Sequence, residues 1–194
     1  MWRSPGGGLA RTATVDYSFS LMDHDLPYRP CVGVALVNRA GDVFMGHRKR
    51  KRNNEILDAR SWQMPQGGID EGEKPLEAAR RELWEETNVR SIEPIAELPG
   101  WLRYDLPEPA RGRWSGRYRG QAQKWFLFRF MGPDSEIDVR RPAGGKHEAE
   151  FDEWRWERFD RVPDVVVPFK REVYLAVAKA FAPLALEASR PAPE

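Results

Sequence analysis

The chain has a single cysteine, Cys31, among its 194 residues. An internal disulfide is therefore impossible, which points to a reducing compartment and leaves folding to the core. An excess of charge of either sign is also missing: 31 Lys and Arg stand against 30 Asp and Glu, a formal net charge of +1. Bulk attraction to nucleic acid is not the design, although local basic patches can still capture a phosphorylated end. No apolar run approaches the ~20 residues that a membrane span needs, so no membrane contact is expected. The three histidines, His24, His47 and His147, lack metal-ligand spacing and receive no role. There is no internal repeat, and the length suits one domain with tails.

Residues 1–27 show no hydrophobic period, and Gly6-Gly7-Gly8 follows Pro5, which predicts a flexible N-terminal arm. Arg3 and Arg11, with no acid before Asp16, give it a faint likeness to a transit peptide. It has no apolar core of signal-peptide type. From Val32 the chain reads VGVALVN, then Arg39-Ala40-Gly41-Asp42, then VFMGH at Val43–His47, which predicts a hairpin. The basic run Arg48–Arg52 opens a loop that extends through Ala59; its place before SWQMPQGG makes phosphate a candidate partner, and a solvated loop is the bland alternative. Strands are expected at residues 89–98, 101–105, 124–130 and 153–159, with the KWFLFRF run central in a sheet and Trp154 and Trp156 on one side of the last. Trp62 and Trp125 belong to the core. Apolar residues at Val173, Val177, Ala180 and Phe181 predict a C-terminal helix over Phe169–Leu186, broken or kinked near Pro183, with residues 187–194 frayed. Strands on both sides of a central helix, plus a terminal helix, predict an α/β domain over residues 28–186.

The chemistry concentrates in Gly67–Val89, GGIDEGEKPLEAARRELWEETNV. The double glycine makes a backbone-exposed turn, and Pro75 suits the first turn of a helix that runs to Thr87. Leu76, Ala79 and Leu83 form the expected core stripe. Glu82, Glu85 and Glu86, at i, i+3 and i+4, share a face roughly 100° round from it. Three carboxylates so close repel one another unless something positive sits among them. A solvated acidic face would explain the glutamates, but neither the double glycine nor the order of the charges.

That order resembles the Nudix box: Gly, five residues, Glu, seven residues, Arg-Glu, an apolar residue, any residue, Glu-Glu, any residue, Gly, and an apolar residue. Gly67, Glu73, Arg81-Glu82, Leu83, Glu85-Glu86 and Val89 fill their places, and Asn88 stands where the family has glycine. Asparagine is the next-best residue for a left-handed helix end, so the departure touches the cap and spares the chemistry. Further stretches, among them Trp62–Glu73, Trp101–Pro107, Gly120–Phe128, Glu150–Trp156 and Pro168–Tyr174, resemble the subfamily of bacterial RNA pyrophosphohydrolases and dinucleoside-polyphosphate hydrolases. The likeness runs from about Tyr28 to Phe181, and the 48–60 loop is longer than in the enterobacterial form.

The resemblance implies an α/β/α sandwich with a mixed β-sheet. It implies two or three Mg²⁺ ions, with Mn²⁺ an admissible substitute, held by Gly67, Glu82, Glu85, Glu86 and a carboxylate from a later loop. Glu150 matches that later place, with Glu148 and Asp152 as alternatives. Glu82 or Glu86 is the general base, and Glu73 and Arg81 form a structural pair. Arg48 and Phe169 match a clamp on a base; their bland readings are a solvated cation and a hydrophobic staple. Tyr104, Lys170 and Arg29 are candidate contacts to phosphate or nucleotide. The implied activity converts a 5′-triphosphorylated or diphosphorylated RNA end to a 5′-monophosphate in the bacterial cytoplasm. Hydrolysis of diadenosine polyphosphates is the rival, and a non-catalytic nucleotide-binding module a third reading, disfavoured because every box carboxylate is present. No protein partner is predicted.

Overall fold

Cys31 through Val37 are all buried, so the strand that carries them, β1 (Tyr28–Val37), must be covered on both faces. The computed structural model, which describes residues 26–49, 62–108 and 116–189, puts β1 inside a mixed sheet. Its other strands are β2 (Val43–Arg48), β3 (Trp62–Gln63), β4 (Gln66–Gly68), β5 (Ile92–Glu97), β6 (Leu102–Asp105), β7 (Gly120–Phe130) and β8 (Phe151–Glu157). β1 runs parallel to β7 from Tyr28↔Gly120 to Val37↔Arg129 and antiparallel to β4 through Cys31↔Gly68 and Val32↔Gly67. β5 and β6 add to the far edge of β7, so the aromatic KWFLFRF run is central, as expected. The expected hairpin forms only at its base, Val37↔Val43. Beyond that pair β2 turns to β8 and β3, because β1 already has β4 and β7 as neighbours.

The alternation of a strand then divides the core in two. Val32, Val34 and Leu36 of β1 join Phe126 and Phe128 of β7 against Ala78, Ala79 and Leu83 of helix α1 (Pro75–Thr87). Ala35, Val37, Trp125 and Leu127 point the other way, against Val173, Tyr174, Val177 and Phe181 of helix α2 (Arg171–Ala188). The result is the expected α/β/α sandwich. Trp62 and Trp125 are both in the core.

Three local expectations are corrected. Leu76 is 39% exposed, and Ala78 takes its place in the α1 stripe. That stripe packs on the large aromatic rings of β7, so small alanines let the helix come close. Ala180 of α2 is exposed, and Tyr174 and Ala185 complete its buried face. Nor does Pro183 end α2, which continues to Ala188. Pro183 is exposed, and on that side water can serve the carbonyl its missing N–H leaves free. The arm, apart from residues 26–27, most of the 48–60 loop, and residues 190–194 lie outside the described residues. Among the described residues no helix is long and apolar enough to cross a membrane.

Candidate active site

Helix α1 begins at Pro75 after Lys74, whose side chain makes no cap hydrogen bond, and ends at Asn88 in the left-handed conformation, φ 69°. Its N–H donates to the carbonyl of Trp84, so asparagine closes the helix as glycine would. Between those ends the helix presents Glu82 and Glu86 to strand β4, and Glu85 lies between Arg81 and His147. Gly67 is required there by contact: the Glu82 carboxylate occupies the space a Cβ would need. On Gly68 the Arg29 guanidinium does the same. The double glycine thus lets a carboxylate and a cation approach the backbone from the helix and from β1.

Arg81 organises the carboxylates. Its Nε donates to Glu73 Oε1 at 2.8 Å, and its Nη2 to Glu73 Oε2 and to the Gly68 carbonyl, each at 2.8 Å. This is the expected brace, closed by the Asp70 N–H on Glu73. The bond from Arg81 holds the Glu73 carboxyl below its usual range, despite partial burial. Sequence reasoning missed the other end of the same guanidinium. Nη1 reaches Glu82 at 2.8 Å and Glu85 at 3.3 Å, so the pair extends into the acidic cluster.

Glu86 lies deepest, 6% exposed, and accepts the Gln66 N–H at 3.2 Å. Burial pushes its pKa well up, and the charges of Glu150 and Glu82 push it further, against the Gln66 bond and Arg48. Glu82 is raised too, by burial first, with Arg81 opposing. Glu150 therefore faces Glu86 electrostatically, while its own carboxylate sits 3.5 Å from Arg48 Nη2. Of the alternatives, Asp152 is engaged by His47 at 2.8 Å and Glu148 is exposed.

Do these residues fit a divalent cation? The donors are all oxygen, the ligand type of hard Mg²⁺, and the Glu86 neighbourhood concentrates negative charge where little water reaches. They are not closed into a ready cage: among the described residues no three His, Cys, Asp or Glu side chains are gathered to hold an ion as they stand. Arg81 engages two of them instead. The donor chemistry fits a divalent ion, with Arg81 already bonded to Glu82 and Glu85.

Of the expected nucleotide contacts, Arg29 lies against Gly68 and Arg48 beside Glu150, while Phe169, Tyr104 and Lys170 stand on the α2 side of the sheet. Phe169 is half-buried, in the 3₁₀ turn before α2, with its ring 5.9 Å from that of Tyr104. Tyr104 is buried and donates to Gln121 Oε1 at 2.8 Å. Lys170 is buried as well, donating to Gln63 Oε1 at 2.9 Å and Gln66 Oε1 at 3.2 Å. Burial, then the charge of Arg48, lowers its pKa to about 7, against the pull of Glu86 and Glu150. Gln63 and Gln66 fell inside the Trp62–Glu73 stretch but were given no role, since two amides have no spacing that tells of a ligand. Yet Gln66 joins the two faces, giving its backbone N–H to Glu86 and its side-chain oxygen to Lys170. His147, assigned no role, stands 3.7 Å from Glu85 with its ring against Trp84.

The NUDIX domain family matches residues 27–177. The RNA pyrophosphohydrolase of Bradyrhizobium sp. strain ORS 278 is 59% identical over 162 residues, 83% of this chain and 96% of that protein. That of Azorhizobium caulinodans is 57% identical over 159 residues, 81% and 94% of the two chains. The solved E. coli dihydroneopterin triphosphate pyrophosphohydrolase shares the fold at TM-score 0.59 and 16% identity, over 79% of this chain and 99% of that one. A family match over most of the chain, and relatives this close over nearly their full length, leave one conclusion. The chain belongs to the NUDIX domain family.

Proposed function

We propose that the chain hydrolyses a phosphoanhydride at the 5′ end of RNA, leaving a 5′-monophosphate, in a reaction that depends on Mg²⁺. The observation that carries the hydrolase reading is the buried Glu86 carboxylate with Glu82 and Glu150 around it. An isolated set of buried carboxylates costs stability, and a divalent cation turns that cost into a site. The choice of RNA follows the relatives that bear the name RNA pyrophosphohydrolase.

Gly67, Glu82, Glu85, Glu86 and Glu150 would hold the ions. Bound Mg²⁺ supplies positive charge against the phosphate oxygens and acidifies a coordinated water. Glu82 and Glu86 are the two carboxylates that would take the proton of the attacking water as its oxygen adds to phosphorus and the bridging P–O bond breaks, the released phosphate or pyrophosphate keeping the bridging oxygen. Arg81 keeps Glu82 and Glu85 on the site side of the helix and, through Glu73, ties the turn after β4 to it. On the opposite face Phe169 offers a ring to the terminal base, backed by Tyr104. Arg48 is the cation for the other side of that base, and Arg29 a partner for phosphate. Lys170, a candidate phosphate or nucleotide contact, is buried and held by Gln63 and Gln66. A reducing bacterial cytoplasm suits both the lone thiol and the substrate.

The test compares kcat/KM for a short 5′-triphosphorylated RNA and for diadenosine tetraphosphate on one preparation with Mg²⁺. The RNA is the better substrate, and its product ends in a 5′-monophosphate. A preference for diadenosine tetraphosphate overturns the RNA reading and leaves the hydrolase reading standing. No turnover of either overturns both.

A further inference from the structure

Asn88 does more than close α1. Its side-chain Oδ1 accepts the N–H of Gly144 at 3.0 Å, and its Nδ2 donates to the carbonyl of Glu136 at 3.3 Å. Only one orientation of the amide satisfies both, since one neighbour is a donor and the other an acceptor. Both belong to the connection between β7 and β8, 56 and 48 residues along the chain from Asn88. Glycine at this place would close the helix equally well and could make neither bond.

Other bonds gather around this one. The N–H of Asp138 donates to the Thr87 carbonyl at 3.0 Å, and the Glu136 carboxylate accepts the N–H groups of Arg90 and Ser91 at 2.7 and 2.9 Å. Gly144 itself sits in a left-handed pair with Ala143, at φ 68° and 52°. An alanine in that region is uncommon and needs support from its surroundings. Ala143 is buried, and the Asn88 amide holds the next residue. From this anchor the connection passes His147, which packs on Trp84 of α1, and reaches Glu150 just before β8. The segment that delivers Glu150 is therefore fastened to the end of the helix that delivers Glu86.

We propose that Asn88 is a positioning residue: its side-chain amide clamps the β7–β8 connection to the end of α1, and so sets the Glu150 carboxylate against Glu86. The proposal rests on the reading above that these two carboxylates share a divalent cation. It makes the departure from glycine a device of this chain, in which the helix cap and the loop anchor are one residue.

Binding of Mn²⁺ alone, followed by the loss of its free-ion electron paramagnetic resonance signal, tests this on the whole protein without substrate. Four proteins are compared: the parent, Glu150→Gln, Asn88→Gly and the double variant. Glycine is at ease at φ 69°, so Asn88→Gly keeps the helix end, and its thermal midpoint is measured alongside. Glu150→Gln weakens Mn²⁺ binding. Asn88→Gly weakens it roughly 3- to 10-fold, the size of about one net hydrogen bond, and the double variant is no weaker than Glu150→Gln alone. Asn88→Asp, which keeps the bond from Gly144, falls between the parent and Asn88→Gly. In turnover, Asn88→Gly raises the half-saturating Mg²⁺ concentration and recovers kcat at high Mg²⁺. Unchanged affinity in Asn88→Gly, whatever its midpoint, overturns the proposal if Glu150→Gln still weakens binding. So does a double variant in which the two losses add. If Glu150→Gln leaves Mn²⁺ affinity untouched, the shared-cation reading itself fails.

Discussion

The two faces of the sheet are built from opposite kinds of material. On the α1 face the polar groups are charged and mostly close in sequence, and one guanidinium holds Glu73, Glu82 and Glu85. On the α2 face they are mostly neutral: Gln63, Gln66, Tyr104, Gln121 and Gln123 come from four strands, the first two accepting from the amine of Lys170 and the others bonded among themselves. The first face concentrates field on a small volume, which suits a reaction that must stabilise developing charge. The second is a firm, nearly uncharged wall, with Trp125 donating to Gln123 and Tyr174 accepting the Met64 N–H. Shape is what such a wall can offer a base. Changes on the α1 face should therefore abolish turnover on every substrate, whereas changes on the α2 face should alter what is bound and at what pH.

The largest effect expected is that of Glu86→Gln. The amide oxygen can still accept the Gln66 N–H, so the fold is kept. Turnover falls by roughly 100-fold or more, because a cation site loses the charge at its centre. Without metal the variant is at least as stable as the parent, since a buried charge that opposes Glu82 and Glu150 has gone. Turnover and thermal unfolding on one sample decide it. Near-normal turnover in a folded Glu86→Gln protein would remove Glu86 from the chemistry and the contrast between the faces with it.

Arg81→Ala should come next, and here stability and rate fall together. Glu73 loses both bonds that Arg81 gives it, and Glu82 and Glu85 lose their cation. Leaving part-buried charged groups unpaired costs on the order of 2–3 kcal/mol. Arg81→Lys restores the charge without the fork and recovers only part of it. A large rate loss at unchanged stability and metal affinity would instead put Arg81 on the substrate.

This contrast also explains what the sequence could reveal. Glu82, Glu85 and Glu86 fall on one face because the helix repeat puts them there, so the box was readable without coordinates. Arg81 was readable as a brace to Glu73 and not as a neutraliser of the cluster, because that depends on a rotamer. Leu76 was misread, since a period marks a face without fixing where the core ends. The break allowed for at Pro183 does not occur, because a proline's cost depends on whether its side of the helix meets water. The α2 wall was legible only as single residues: Phe169, Lys170 and Tyr104 could be named, but nothing local joined them to Gln63, Gln66 or Gln121. Asn88 was legible as a cap because its backbone demand is local. Its loop contacts span about fifty residues and could not be read.

The smallest effect expected tests whether the two faces act on each other, and Lys170 carries it. Burial first, then Arg48, holds its pKa near about 7, below the usual 10.5, against Glu86 and Glu150. Between those two values the folded protein binds fewer protons at Lys170 than the unfolded chain does. Its contribution therefore makes stability rise with pH from about 7 to 10.5, and it is lost as pH falls through that window. The slope is at most that of one proton, about 1.4 kcal/mol per pH unit. Glu86 contributes the opposite sign, because a raised carboxyl pKa makes stability fall as pH climbs above 4.5. Cys31, pushed to about 11 by burial, and the raised tyrosines add their own slopes in alkali. The quantity to measure is thus a difference: unfolding free energy against pH, without metal, for the parent and Lys170→Met. The buried tyrosines, Cys31 and, to first order, Glu86 cancel, and the parent curve climbs more steeply than the variant from pH 7 upward. Repeated on a Glu86→Gln background, the excess slope shifts to lower pH, since the carboxylate that favours the charged amine has gone. Parallel curves for parent and Lys170→Met would mean that Lys170 stays charged in the folded protein. An excess slope that ignores Glu86→Gln would mean that the charges on the two faces do not influence each other across Gln66.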